Sequence, residues 1–277
     1  MSGVIVPADP LDDHQLARDL AVAAGHRLLE LRAADRGGDP DELRRAGDRQ
    51  SHEFLAAELA RLRPDDVVLS EEGKDDPARL TARRTWIVDP LDGTREFGEP
   101  GRADWAVHVA LWQRGAAGAG DSAAHDTTAS DLTAGDLTAG AVALPARDLV
   151  LSTAQPAAPR PPADPLRLLV SRSRPPEFVR RLADELGAVL VPLGSAGAKA
   201  AAVILGEADA YVHSGGQYEW DSAAPVAVAR AAGLHASRID GSPLRYNQAS
   251  PALPDILICQ ADIAPLLLKA ISADGSA

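Results

Sequence analysis

A predicted strand that ends in two closely spaced aspartates is the feature that most restricts how this chain can fold. Residues 86–94, WIVDPLDGT, run from an apolar strand into Asp89, and Asp92 follows near enough for both carboxylates to reach one hard cation. The intervening proline fixes a turn, because its ring sets φ and it has no N–H for a ladder. Gly93 lets the backbone approach a ligand closely, and Thr94 opens a short helix whose free N–H groups suit a phosphate. The fold must therefore bring an acidic strand end together with a helix start.

A second acidic cluster follows the neighbouring predicted strand. Residues 67–69 are apolar and lead into Ser70, Glu71 and Glu72. Taken singly, an Asp-Gly pair indicates a simple turn, and two glutamates indicate a solvated loop end. Two acidic clusters at strand ends favour a shared role, so we predict that this run adds a third carboxylate to a cation site.

The charge balance limits the partners that such a site can have. Lysine and arginine number 28 against 40 aspartates and glutamates, a formal net charge of −12. A surface this acidic does not attract a nucleic acid polymer or an anionic membrane. An anionic substrate would need a positive intermediary, and divalent cations held by clustered carboxylates provide one, because they invert the local sign of charge.

Cysteine content and apolar runs indicate the compartment. Cys259 is the single cysteine, so the chain forms no internal disulfide and no cysteine-based zinc site. No apolar stretch approaches the roughly 20 residues of a membrane span. The opening segment, MSGVIVPADP, lacks the basic region of a signal peptide. We therefore expect a cytoplasmic protein.

Helix and strand signals interleave along the chain, which is typical of a layered α/β sandwich. Helices are predicted over 9–37, 48–62, 175–186, 198–205, 222–232 and 263–271, and strands over 67–69, 85–88, 105–112, 140–144, 149–153, 166–170, 189–193, 208–213 and 256–259. We divide the chain into an N-terminal half, 1–155, and a C-terminal half, 166–277, joined by a proline-rich linker. Residues 115–140, which contain the direct repeat DLTAGDLTAG, are predicted to form a mobile surface insertion.

Five motifs, in this order along the chain, resemble the inositol monophosphatase superfamily. They are AGD at 46–48, SEE at 70–72, DPLDGTREF at 89–97, GSAGAK at 194–199 and EWDSAA at 219–224. Within the superfamily the chain is most similar to the bacterial 3′(2′),5′-bisphosphate nucleotidases of sulfate assimilation. The resemblance implies a five-layered αβαβα sandwich whose active-site residues come from both halves.

The resemblance also implies two to three Mg²⁺ ions on one carboxylate cluster. The first ion would be held by Glu71, Asp89 and the backbone carbonyl of Leu91. The second would be held by Asp89, Asp92 and Asp221, and Glu71 would reach a looser third ion. All of these donors are oxygens, the ligands that Mg²⁺ prefers.

Roles in catalysis and substrate binding follow from the same resemblance. Asp48 and Thr94 match the pair that orients and deprotonates the attacking water, and Glu71 is grouped with them as catalytic. The backbone N–H groups of Gly93 and Thr94 would hold the phosphoryl oxygens. The predicted substrate-binding residues are Asp92, Gly93, Thr94, Gly194, Ser195, Lys199 and Asp221.

Several of these residues also have simpler structural interpretations. Asp48 and Asp221 could each cap the helix that follows. Gly194 and Ser195 could form an ordinary strand-to-helix turn. The seven histidines show no metal-binding spacing and are interpreted as structural or surface residues.

A Mg²⁺-dependent phosphomonoesterase is the function that these features favour. The resemblance implies a reaction that removes the 3′-phosphate of adenosine 3′,5′-bisphosphate to give AMP, with 3′-phosphoadenylyl sulfate as a related small-molecule substrate and with inhibition by lithium. The alternative is an inositol-1-phosphate phosphatase with fructose-1,6-bisphosphatase side activity, because it shares every metal ligand. A non-catalytic module that senses a nucleotide or a metal is disfavoured, since the acidic cluster is complete. The sequence leaves the oligomeric state open, a homodimer included.

Overall fold

The computed structural model describes residues 12–115, 135–173 and 175–273. Its α-helices are α1 (Asp13–Ala34), α2 (Pro40–Leu62), α3 (Thr94–Phe97), α4 (Glu177–Leu186), α5 (Ala196–Ile204), α6 (Glu219–Ala231) and α7 (Ala264–Ala273). Its strands are β1 (Val67–Ser70), β2 (Arg84–Asp92), β3 (Ala106–Arg114), β4 (Gly135–Leu144), β5 (Leu149–Ser152), β6 (Arg167–Ser171), β7 (Val189–Leu193), β8 (Ala210–Tyr218), β9 (His235–Ser237) and β10 (Ala252–Cys259). Within these described ranges, no helix combines the length and the apolar composition that crossing a membrane requires.

The strands form two five-stranded sheets. The first has the order β1-β2-β3-β4-β5 and is antiparallel apart from the parallel pair β1–β2. The second has the order β7-β6-β8-β10-β9, with β6 parallel to both β7 and β8. Because β1 and β2 run in parallel, with Ser70 opposite Val88, their carboxyl ends lie at one edge. The two acidic runs that follow these strands therefore meet.

Alternating side chains bury both faces of each sheet. In β2, Trp86 and Val88 pack against α1 and α2, whereas Ile87 belongs to the core around α5 and α6. In β6, Leu169 joins that same central core, and Leu168 packs with α4 and α7. The layers are thus α1–α2, first sheet, α5–α6, second sheet and α4–α7, which confirms the predicted αβαβα sandwich. Burial on both faces also explains why the strands are nearly continuous apolar runs.

The second helix begins earlier than the sequence analysis predicts. α2 starts at Pro40 and not at Asp48, and its N-cap, Asp39, accepts the N–H of Asp41 at 3.0 Å. Asp48 therefore lies inside the helix and does not cap it. An aspartate followed by proline is a recognised helix start, so the sequence does contain the signal. The predicted start of the first helix, at 9–10, lies outside the described residues.

The helix that carries Asp221 also begins early. α6 starts at Glu219, three residues before the predicted start at 222, so that Asp221 is its third residue. Pro225 is consequently inside the helix and not in its first turn.

The predicted insertion over 115–140 is too long at its C-terminal end. Residues 135–140 form the first part of β4, where Leu137 pairs with Trp112 and Asp136 with Gln113. Leu137 packs against the central core, and this contact stabilises the strand conformation of an otherwise polar stretch. The second copy of the repeat is therefore structural, whereas residues 116–134 lie outside the described residues.

Asp209, just before β8, forms hydrogen bonds with the proline-rich segment that precedes β6. Its buried carboxylate accepts the N–H groups of Ala163, at 2.9 Å, and Arg167, at 2.7 Å, and pairs with the Arg167 guanidinium at 3.1 Å. Burial acts to raise the pKa of Asp209, but these donors lower it below its ordinary value of 3.8.

Asp209→Asn should make the free energy of unfolding depend less on pH in the acidic range. A carboxyl group whose pKa is lowered by folding stabilises the fold fully above its unfolded pKa and loses that contribution as the pH falls through its folded pKa. The variant should be less stable than wild type near pH 7, and the difference in the free energy of unfolding should shrink below about pH 4. Urea unfolding across this range measures it, with the exposed Asp184→Asn on α4 as control. A difference that stays constant with pH would contradict the assignment.

Candidate metal centre and active site

Three aspartates meet at one edge of the first sheet. Asp89 and Asp92 come from the end of β2, and Asp221 comes from the first turn of α6. One carboxylate oxygen from each lies within 4.8 Å of those of the other two. Asp89 and Asp92 are buried, and Asp221 is partly buried. Both halves of the chain thus contribute to one acidic group, called the aspartate triad below.

A bulge in β2 places Asp89 and Asp92 on the same face of the sheet. Asp89 pairs with His108 of β3 and Asp92 pairs with Ala106, so three steps along β2 match two along β3. In a regular strand, residues three apart would face opposite sides, because side chains alternate. Pro90 lies within the bulge, where a missing N–H costs no ladder bond. The irregularity therefore allows one strand to supply two carboxylates.

Asp221 is held by the start of its own helix. Its Oδ2 accepts the N–H of Tyr218, the residue before α6, at 2.7 Å. Asp221 is the third residue of α6 and accepts the N–H of the residue that precedes the helix. The capping alternative places Asp221 directly before the helix, and the structure does not. This bond fixes the carboxylate next to the end of β2.

Asp48 and Thr94 form a second group beside the triad. The Thr94 hydroxyl lies 3.3 Å from Asp48 Oδ1 and 3.0 Å from the backbone carbonyl oxygen of Leu91. α2 reaches this position because Gly47 has no side chain: a Cβ there would stand 2.9 Å from both Leu91 and Phe97. A glycine inside a helix costs about 1 kcal/mol relative to alanine. The close packing that delivers Asp48 explains why one is found here.

The clustered carboxylates repel one another. Burial and the neighbouring carboxylates raise the pKa of Asp89 well above its ordinary value. Burial and the charge of Asp92 raise the pKa of Asp221 to about 6, and burial and the charge of Glu72 raise the pKa of Asp48 to about 6. A divalent cation would stabilise a site of this kind, because it offsets the repulsion.

Glu71 lies at the exposed rim of the site, directly after β1. Partial shielding from water and the charges of Asp221, Glu72 and Asp92 raise its pKa to about 7. Because the side chain is exposed, water screens part of this repulsion. Glu71 is thus within electrostatic range of the aspartate triad, although it is not among the carboxylates that lie within 4.8 Å of one another.

The start of α5 encloses Asp92. Its Oδ2 accepts the Ser195 hydroxyl at 2.5 Å and the Gly197 N–H at 2.6 Å, and its Oδ1 accepts the Ala196 N–H at 3.1 Å. Burial acts to raise the pKa of Asp92, but the cation at His108 and these donors lower it to about 2. Asp92 is therefore ionised and oriented by a helix from the other half of the chain.

Gly194, Ser195 and Lys199, which the sequence analysis predicts to bind the substrate, are buried in the structure. The Ser195 hydroxyl oxygen accepts the N–H of Ala198 at 2.9 Å while it donates to Asp92. Lys199 Nζ donates to the carbonyls of Gly194 and Ser195, at 3.1 and 2.7 Å, and burial lowers its pKa. These bonds support the loop between β7 and α5 from within.

Sequence reasoning missed two residues that contact this site. His108 is completely buried, with Nε2 at 3.1 Å from Asp92 Oδ2. Asp104 accepts the N–H of Gly194 at 2.7 Å. For His108 the sequence did contain a signal, since it lies inside the apolar run 105–112. A polar residue within a strand that is predicted to be buried often has a specific role. For Asp104 we find no comparable signal.

The donors of the aspartate triad fit a hard divalent cation. The group consists of carboxylate oxygens, and in the part of the chain that the structure describes no cysteine or histidine belongs to it. Mg²⁺ and Ca²⁺ prefer oxygen ligands, whereas zinc favours nitrogen and sulfur. The triad could therefore bind a metal ion of the first kind.

The layered fold with an acidic site between its halves is that of a phosphatase family. Residues 13–273 match the inositol monophosphatase family, and the chain belongs to that family. A curated relative from Mycobacterium leprae (strain TN), named 3′-phosphoadenosine 5′-phosphate phosphatase, is 51% identical over 268 residues, which cover 94% of each chain. The chain is thus a phosphatase of the inositol monophosphatase family.

Solved structures agree with this assignment of the fold. Inositol monophosphatase II from Staphylococcus aureus superposes with a TM-score of 0.73 at 21% identity and covers 94% of each chain. CysQ from Bacteroides thetaiotaomicron superposes with a TM-score of 0.69 at 26% identity, covering 90% of this chain and 97% of that one.

Asp89→Asn should stabilise the metal-free protein and remove its response to a divalent cation. The amide oxygen can still accept the Leu91 N–H, 3.0 Å from Asp89 Oδ1, while the repulsion and the burial of a charge are removed. In EDTA the melting temperature should rise by roughly 2–4 °C for each kcal/mol gained. Mg²⁺ should then raise the melting temperature of wild type but not of the variant. Thermal unfolding in both conditions measures this.

The exposed Glu185→Gln on α4 is the control for this experiment and should behave as wild type. A variant that melts below wild type in EDTA would show that repulsion within the triad is not a significant cost.

Proposed function

We propose that this protein hydrolyses the 3′-phosphate of adenosine 3′,5′-bisphosphate to AMP in a Mg²⁺-dependent reaction. The main support is the relative from Mycobacterium leprae, which is 51% identical and covers 94% of this chain. The name of that relative gives the same compound as its substrate. 3′-Phosphoadenylyl sulfate is a related candidate substrate. The proposal includes a cytoplasmic location and inhibition by lithium.

The acidic residues of the site are suited to hold the cations. The ligands of two to three Mg²⁺ ions would be Glu71, Asp89, Asp92, Asp221 and the Leu91 carbonyl. When bound, such ions neutralise the charge of the phosphate, stabilise the leaving oxygen and make an attacking water more acidic. The chain fixes two of these carboxylates in advance, Asp92 through the Gly197 N–H and Asp221 through the Tyr218 N–H.

In this proposal Asp48 and Thr94 act on the attacking water. The Thr94 hydroxyl can direct its proton to the Leu91 carbonyl, which leaves its oxygen free to accept a hydrogen bond from water. Asp48, 3.3 Å from that hydroxyl, can take the proton of the water as general base. The backbone N–H groups of Gly93 and Thr94 would hold the phosphoryl oxygens. Attack in line then requires positioning and electrostatic stabilisation, and no covalent intermediate.

Tyr218 favours a substrate that carries an aromatic base. Its side chain is 45% exposed and stacks on Trp220, with ring centroids 4.8 Å apart and an interplanar angle of 12°. The backbone N–H of Tyr218 donates to Asp221 Oδ2 at 2.7 Å, so the residue that carries this ring adjoins the triad. Stacking of a base on an aromatic side chain contributes about 1–3 kcal/mol. Inositol and fructose phosphates have no comparable face.

A comparison of kcat/KM for three substrates tests this proposal. Phosphate release would be measured from adenosine 3′,5′-bisphosphate, inositol-1-phosphate and fructose 1,6-bisphosphate, with Mg²⁺ and with EDTA. We expect a preference of at least about tenfold for the nucleotide, which is about 1.4 kcal/mol of transition-state discrimination. The same preference for inositol-1-phosphate would establish the alternative. Turnover that persists in EDTA would contradict Mg²⁺ dependence, and no turnover of any substrate would favour a sensing module.

Asp48→Asn should lower kcat by about 10²–10⁴-fold, the usual contribution of a general base. The rise in melting temperature caused by Mg²⁺ should stay close to that of wild type, because Asp48 is outside the aspartate triad. Steady-state kinetics and thermal unfolding check the two effects, with the exposed Asp41→Asn on the same helix as control. Loss of the Mg²⁺ response together with kcat would identify Asp48 as a metal ligand instead.

A further inference from the structure

Arg79 is a completely buried arginine that follows Glu71 by eight residues. It lies in a 3₁₀ turn, Pro77–Leu80, in the connection between β1 and β2. Arginine is rarely buried without partners, because each of its N–H groups needs an acceptor once water is excluded. A buried ion pair adds little stability compared with apolar packing, and its best-supported use is to fix one arrangement of the segments that it joins. The partners of Arg79 therefore indicate what it positions.

The guanidinium joins two separate segments of the chain. On one side, Nε and Nη2 donate to the two carboxylate oxygens of Asp75 at 2.6 and 3.0 Å, within the segment that links Glu71 to Arg79. On the other side, Nη1 donates to Asn247 Oδ1 at 2.9 Å and to the carbonyl oxygen of Gln248 at 2.8 Å. Both of these acceptors lie in the connection between β9 and β10. The planar group fixes direction as well as distance, because its N–H groups form a rigid fork.

Asn247 continues this connection to the start of α6. Its Nδ2 donates to the Arg79 carbonyl oxygen at 2.9 Å, so the two residues are bonded in both directions. Its backbone N–H donates to Glu219 Oε2 at 2.6 Å, and the N–H of Gln248 donates to Oε1 at 2.8 Å. Glu219 is buried and is the first residue of α6, in the same turn as Asp221. The connected side chains are called the Arg79 network below: Asp75, Arg79, Asn247 and Glu219.

The Arg79 network links the two acidic segments that the site requires to be close. Glu71 precedes one end of the network, and Asp221 follows the other. Carboxylates repel one another, most strongly where little water separates them. Without a tie, residues 71–79 would relax away from the aspartate triad. Hydrogen bonds within the protein oppose this movement before any cation is bound.

We propose that Arg79 is a positioning residue that holds Glu71 within reach of the aspartate triad. Through Asn247 and Glu219 it fixes residues 71–79 relative to α6, so that Glu71 and the triad can bind a cation together. This role rests on the proposed function, because it requires Glu71 to be a ligand of the cation. It goes beyond that function, since it makes the affinity for the cation depend on a residue outside the ligand set.

The Mg²⁺ dependence of the thermal unfolding of Arg79→Lys tests this role. Lysine keeps the charge but cannot donate to Asp75 and Asn247 in the fixed fork of arginine. Each variant is compared with its own melting temperature in EDTA, so that a general loss of stability cancels. The Mg²⁺ concentration that produces a given rise in melting temperature should increase at least about tenfold, because loss of a group that orients a metal ligand weakens binding by that order. An unchanged Mg²⁺ requirement would overturn the role.

Arg167→Lys is the matched control. Arg167, at the start of β6, also donates through Nε and Nη2 to the two oxygens of an aspartate, Asp209, at 3.1 Å in both cases. This pair belongs to the second sheet and is not part of the Arg79 network. Arg167→Lys should lower the melting temperature in EDTA but leave the Mg²⁺ requirement within about twofold of wild type. A similar rise of the Mg²⁺ requirement in both variants would show a general effect on the fold and would contradict the proposal.

A double-mutant cycle with Glu71→Gln tests whether Arg79 acts through Glu71. Glutamine has no charge, so the placement of residue 71 then matters little for the affinity of the cation. In the Glu71→Gln background, Arg79→Lys should raise the Mg²⁺ requirement by less than about twofold, against about tenfold in wild type. The same factor in both backgrounds would show that Arg79 acts by another route.

Asn247→Gly keeps the proposal testable where Arg79→Lys does not fold. Asn247 has a φ of 58°, in the left-handed region that glycine adopts without strain. The change removes both side-chain bonds to Arg79 but retains the backbone N–H that Glu219 accepts. It should also raise the Mg²⁺ requirement, and an unchanged requirement would count against the role.

The behaviour of wild type separates this inference from the proposed function. A melting temperature that does not respond to Mg²⁺ overturns both. A preference for inositol-1-phosphate contradicts the nucleotide substrate alone, and the cycle of Arg79 and Glu71 still decides the inference. A wild type that behaves as proposed, together with an unchanged Mg²⁺ requirement in Arg79→Lys, overturns the inference alone.

Discussion

The carboxylate of Asp92 is the point at which the two halves of the chain depend on each other. It ends β2 in the N-terminal half and accepts the first N–H groups of α5 in the C-terminal half, those of Ala196 and Gly197. The free N–H groups and the dipole of a helix start both stabilise an anion. One carboxylate therefore completes a helix and enters the aspartate triad, so the site forms only when the halves are packed together.

A second polar connection fixes the other side of the site. Arg79 is completely buried and donates to Asn247 Oδ1 at 2.9 Å, while Glu219, the first residue of α6, accepts the Asn247 N–H at 2.6 Å. The segment that follows Glu71 is thereby tied to the helix that carries Asp221. The end of β1 and the start of α6 thus keep their relation through hydrogen bonds within the protein.

Two members of the triad, Asp89 and Asp221, oppose folding in their charged forms, which is consistent with a catalytic role. Burial and mutual repulsion raise the pKa of both Asp89 and Asp221, so their charged forms are disfavoured in the absence of a cation. Residues that are unfavourable for stability are commonly retained for function. They would also reconcile a net charge of −12 with a phosphate-bearing substrate, because cations bound by such residues reverse the sign of the local charge.

The sequence by itself determined the layered architecture, the acidic strand ends and the family, because periodicity, turn residues and short motifs are local properties. It misplaced the starts of α2 and α6, since several residues could begin each helix and only packing selects one. Tertiary structure alone decided that Asp89 and Asp92 share a face, because the bulge in β2 exists only against β3. It also decided that Lys199 holds a loop and that His108 lies against Asp92. These contacts join residues far apart in the chain, and no local pattern specifies the distance between them.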